Sequence, residues 1–131
     1  MQQDTMSEIK RILASGKSMR ILAAVPFQGG FARVSEKLGF ELPASYIEFC
    51  QLGGLGELRF NNRVLVPEEI LTSRSYVPTN MVPFAGNGCG DLYCWPMDSG
   101  AEPPVVFHDQ QTQLLSQVAP SFTDWLGKNR F

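Results

Sequence analysis

Apolar residues recur at helical spacing in two adjoining stretches. In the first, Phe31, Val34 and Leu38 share one helical face, and Gly39 stands where a helix closes on a left-handed residue. In the second, Leu42-Pro43 opens a helix, because proline at the first helical position gives up an N–H that has no intrahelical partner. Tyr46, Phe49, Cys50 and Gly53 follow at i, i+3, i+4 and i+7, which turns the aromatics inward and predicts that Ser45 and Glu48 look outward. Gly53-Gly54 ends that helix. Upstream, Ile9, Ile12 and Leu13 predict a helix ending near Gly16, whereas Met19 to Pro26 fits either a strand or a short buried helix.

After these helices the pattern shortens to strand length. Leu58-Arg59-Phe60 and Val64-Leu65-Val66 flank Asn61-Asn62, and asparagine tolerates the positive φ of a two-residue hairpin turn. Pro67 to Leu71 reads as a single helical turn, with Glu68 and Glu69 near the positive end of its dipole. Met81 to Phe84, Leu92 to Trp95 and Val105 to Phe107 are three strands separated by glycine- and proline-rich turns, and Pro83 points to an edge position. Ser121 and Asp124 resemble a capping box ahead of a terminal helix whose Phe122, Trp125 and Leu126 form an apolar face. Helices, then a meander of strands, then one closing helix predict an α+β fold. A mostly antiparallel sheet packs against helices from the N-terminal part and a C-terminal helix, without βαβ alternation.

Composition narrows the class. The 131 residues suit one domain, and 44% apolar with 18% charged residues is a globular balance that leaves no case for disorder or a coiled coil. Eleven basic against 13 acidic residues, with no basic run, argue against a nucleic-acid partner. Cys50, Cys89 and Cys94 are odd in number and lack metal or redox spacing. The N-terminal residues lack the basic and apolar regions of a signal peptide, so a reduced, cytoplasmic protein is expected. The longest apolar stretch, Met19 to Phe27, is broken by Arg20 and Pro26 and falls short of the roughly 20 residues of a membrane span.

Candidate chemistry is sparse. Gly16-Lys17-Ser18 lacks the glycine a phosphate loop needs five positions earlier, where Arg11 stands, and Asp91 replaces the last glycine of a dinucleotide fingerprint. His108 is the single histidine, and Asp109 beside it on a strand points to the opposite face. No nucleophile, base and orienter assemble from these residues, and no cofactor or metal is expected. The missing set lowers the case for an enzyme, and none is expected.

Five ordered segments carry a family resemblance. Lys37-Leu38-Gly39-Phe40-Glu41-Leu42-Pro43-Ala44-Ser45-Tyr46-Ile47-Glu48-Phe49 looks like the "LG..LP..Y..F" helix pair of the SUKH superfamily, and Val66 to Ile70 resembles its short "pee" turn. Val82 to Cys94 is similar to "ipF....GD.yc", Pro104 to His108 to the "pVv" strand, and Ala119 to Leu126 to the closing "a.SF..fl" helix. Residues 1–27 match no part of the pattern and are expected to be a variable entry segment to a domain spanning 28–131.

The superfamily includes Smi/Knr-type fungal cell-wall regulators and bacterial immunity proteins. The resemblance thus implies a protein partner, foremost a toxin neutralised by binding. A regulatory or scaffold domain without a toxin is the alternative, and a small enzyme comes third. Binding residues concentrate on loops held by a rigid scaffold. The expected surface comprises Gly86 to Asp91, Pro96 to Pro103 and Arg74 to Pro78, with Tyr76, Asp91, Trp95 and Asp98 as contact residues. Trp95, at a strand end, is expected to be partly exposed as an interface anchor. Asp91 has a plainer reading as a carboxylate that fixes its own turn.

Overall fold

A computed structural model of the chain describes residues 30–51 and 62–129. The expected helix before Gly16, the segment Met19 to Pro26, the glycines at 53 and 54 and the strand Leu58 to Phe60 lie outside the described residues. Helix α1 (Phe31–Leu38) buries Val34 and Leu38 and closes on Gly39 at φ 65°, whose N–H returns to the Glu36 carbonyl. A left-handed residue there satisfies helix-end carbonyls with no Cβ penalty, as the sequence predicts.

Helix α2 (Ala44–Gln51) begins one residue later than expected, with the Pro43 carbonyl accepting the N–H groups of Tyr46 and Ile47 at 3.1 Å each. Tyr46, Phe49 and Cys50 are buried as their spacing requires. Ser45 and Glu48, expected to face outward, are buried too. For Ser45 the reason is tertiary: the Glu102 carboxylate arrives over this end of α2.

Strand β1 (Arg63–Val64) leads into α3 (Pro67–Ser73), which is longer than the single turn expected and runs on as a 3-10 turn, Arg74–Tyr76. Glu69 reaches back to the Val66 N–H at 3.0 Å and forms a two-pronged bridge to Arg63, so one carboxylate ties the helix start to the strand before it. β2 (Met81–Gly86), β3 (Leu92–Pro96), β4 (Val105–His108) and β5 (Leu115–Ala119) complete an antiparallel sheet in the order β1-β2-β3-β4-β5. Pro83 thus lies on an inner strand, contrary to the edge position expected. β1 pairs with Gly86 and Ala85, and the β2–β3 register slips directly after Pro83, which itself faces Cys94.

The first strand and Asn61 of the hairpin expected around Asn61-Asn62 lie outside the described residues; Asn62 itself is buried, its amide donating to Asn129 of α4 (Phe122–Asn129). The predicted cap of α4 forms: the Asp124 N–H donates to Ser121 Oγ at 3.1 Å, and the Ser121 hydroxyl donates to the Asp124 carboxylate at 2.9 Å. The four described helices bury their apolar faces against the side of the sheet that carries Val82, Phe84, Trp95, Val105 and Ala119. On the other side Met81 and Cys94 gather with Val77.

The meander sorts its loops by end. The β2–β3 and β4–β5 turns share one end of the sheet, and the β3–β4 loop shares the other with the segment entering β2. No helix among the described residues is long and apolar enough to cross a membrane.

Candidate functional site

A groove opens at the end of the sheet that holds the β3–β4 loop. One wall is the short link from α1 to α2, with Phe40, Glu41 and Leu42; the other is the loop from Met97 to Ala101, and the cavity between them holds about 500 Å³. A second cavity of about 520 Å³ runs along α1 past Phe31 and Glu36, and the two share Glu41 and Ile47. Among the described residues, the charged side chains lining the pair are Glu36, Glu41 and Asp98, set around the apolar Phe31, Phe40, Ile47 and Met97.

Both walls are held by hydrogen bonds. The Leu42 N–H donates to Ser35 Oγ at 3.1 Å, fixing the link to α1. Across the groove, Glu102 accepts from the Ser45 N–H at 3.1 Å and from the Ser45 hydroxyl, which places a carboxylate at the positive end of α2. The Arg74 guanidinium donates to the carbonyls of Leu38 at 3.5 Å and Thr79 at 3.0 Å, joining α1 to the segment entering β2. The Met97 N–H then donates to the Asn80 carbonyl at 2.9 Å. Asp98 at φ 63° and Gly100 at φ 97° make the sharp turn of the loop. Asp98 adopts a region that few side chains other than Asn and Asp occupy readily.

The four residues singled out in the sequence separate. Asp98 lies on the rim of the groove, and Tyr76 stands 70% exposed at the same end of the sheet. Trp95 is a correction: it is 0% exposed. Its indole stacks on Phe84 at 4.3 Å and on Phe40 at 6.0 Å and takes the edge of Tyr46 at 5.3 Å. It therefore supports the groove from beneath, with Phe40 standing between it and the opening. Phe40, Glu41 and Ile47 escaped sequence reading, because their place beside the β3–β4 loop is set by tertiary packing.

Asp91 lies at the opposite end. One carboxylate oxygen accepts the Gln110 N–H at 2.9 Å and the other accepts from the Asn87 amide at 3.0 Å, which hold its carboxyl below the ordinary aspartate range. It binds the β2–β3 turn to the β4–β5 turn, in keeping with the plainer reading of this residue. His108 is buried, with Nε2 at 3.1 Å from the Gln113 side-chain oxygen, and neither it nor Asp91 lines the groove. Cys50 and Cys94 are buried, and burial pushes both thiols up to about 12; Cys89 is exposed.

The fold is thus that of a small α+β protein with a preformed groove at one end of its sheet. Residues 30–128 match the SMI1 / KNR4 family (SUKH-1), and the chain belongs to that family. No curated protein sequence matches the chain. Membership agrees with a protein-binding role in general terms.

Proposed function

We propose that this chain is a bacterial immunity protein that neutralises a cognate toxin in the cytoplasm by binding it, without catalysis. The observation that carries the reading is the groove itself. Its apolar floor of Phe40, Ile47 and Met97 is bounded by an acidic rim, and its walls are fixed by Ser35, Glu102 and Arg74 before any partner arrives. A preformed surface loses little conformational entropy on association, so its apolar burial goes largely into affinity. The non-catalytic reading draws support from the two polar residues best suited to chemistry. Asp91 is engaged by Gln110 and Asn87, and His108 is buried against Gln113.

The test is capture from the native host followed by co-expression with the toxin recovered. The wild-type chain restores growth of toxin-expressing cells, and Ile47→Asn, which places an amide on the groove floor, loses that protection while remaining folded by circular dichroism. Absence of both capture and protection sinks the proposal.

A further inference from the structure

We propose that the groove receives a cationic segment of the partner, in which lysine or arginine side chains flank apolar anchors. The inference rests on the binding reading above and names the chemistry of what is bound. Across the whole chain the charges nearly cancel, 11 basic against 13 acidic. Within the paired cavities the described residues are one-sided: Glu36, Glu41 and Asp98 line them, and among the described residues no lysine or arginine does.

Among the described residues, the arginines are engaged elsewhere. Arg33 bridges to Glu68, Arg63 to Glu69, and Arg74 donates to the backbone of Leu38 and Thr79. Lys37 follows Glu36 on α1 but lines neither cavity. A cleft lined by one sign of charge between low-dielectric walls focuses its field and steers oppositely charged partners. The apolar floor then demands more than charge. A purely polar cation leaves Phe40, Ile47 and Met97 uncovered, whereas an acidic segment is repelled by the rim.

The test uses a defined probe: a peptide of about a dozen residues with three lysines around two leucines in a glycine–serine background, titrated into isotope-labelled full chain. Amide shifts centred on Gly39 to Ile47 and Met97 to Ala101 are expected. Neutralising the rim with E36Q, E41Q and D98N together weakens binding about tenfold or more at low salt, since exposed charge pairs each contribute modestly. Raising salt from about 0.01 M to 0.15 M narrows that difference as screening shortens. The glutamate-for-lysine peptide does not bind, and the same peptide with serines for leucines binds weakly. Shifts spread over the surface, equal binding of the glutamate peptide, an unaffected rim variant, or no binding overturns the inference. Because these readouts need no toxin, loss of peptide binding with intact protection, or the reverse, separates this inference from the immunity reading.

Discussion

The ring of Phe40 stacks on the indole of Trp95 at 6.0 Å with the planes 23° apart. One partner lines the groove and the other is wholly buried in the core, so the floor of the candidate binding surface is continuous with the packing that stabilises the fold. Trp95→Ala removes the centre of that packing and is expected to lower stability by about 3–5 kcal/mol, the usual cost of emptying a large aromatic site. Tyr76→Ala, at an exposed position, changes it by no more than about 0.5 kcal/mol. Urea unfolding of the two variants checks the contrast; comparable losses contradict the assignment of Trp95 to the core.

At the other end of the sheet, Asp91 joins two turns. Asp91→Ala is expected to leave the groove intact while the Gln110 amide, deprived of its acceptor, exchanges with solvent faster. The same bond sets an acid dependence. A carboxyl held below its ordinary value stabilises the fold above the unfolded pKa near 4, and this contribution disappears as pH falls through the folded value. Hydrogen exchange followed from pH 6 down to pH 3 checks both, and unchanged protection at Gln110 in the variant contradicts them.

How much of this was legible in the sequence depends on whether the signal was local. The α1 face, its Gly39 close and the Ser121–Asp124 cap were readable, because each is decided within one or two helical turns. Strand β5 was missed. Leu115, Ser116, Gln117 and Val118 are all exposed and carry no alternation, so only pairing with β4 makes them a strand. Trp95 was misread for a related reason: Leu92, Tyr93, Cys94 and Trp95 are all apolar, so the run does not reveal which side faces the helices. The loop position of Asp98 was readable, and its place on the groove rim follows from it. The groove was not, because its two walls are more than fifty residues apart in sequence.

Alkaline pH tests the buried hydroxyl and thiols. Burial raises the Tyr46 phenol well above its usual range, with Cys50 adding to the shift, and pushes Cys50 and Cys94 up to about 12. These groups favour their neutral forms in the folded state. Their contribution is therefore full below the unfolded thiol value near 8.5 and declines as pH rises toward 12, by up to about 1.4 kcal/mol per pH unit for each group that ionises on unfolding. Stability measured from pH 7 to 11 is expected to fall, and Cys94→Ala is expected to make the fall shallower. A slope that the substitution leaves unchanged contradicts the burial of that thiol.

Glu102 offers a way to separate positioning from binding. It does not line either cavity, yet its carboxylate accepts two hydrogen bonds from Ser45 and holds the first turn of α2 against the β3–β4 loop. Glu102→Ala leaves the Ser45 N–H and hydroxyl without that acceptor, and a lost helix cap costs about 1 kcal/mol. Glu102→Gln keeps an oxygen acceptor but removes the charge from the positive end of the helix, so its expected cost is smaller, about 0.3–1 kcal/mol. If Glu102 acts by fixing the wall, both variants weaken binding of the lysine–leucine peptide in the same order as they lower stability, and the glutamine variant recovers most of the loss. A Glu102→Gln variant as stable as wild type but as weak in binding as Glu102→Ala instead requires that this carboxylate meet the cationic segment directly. Urea midpoints and peptide titrations on the same two proteins decide between the roles.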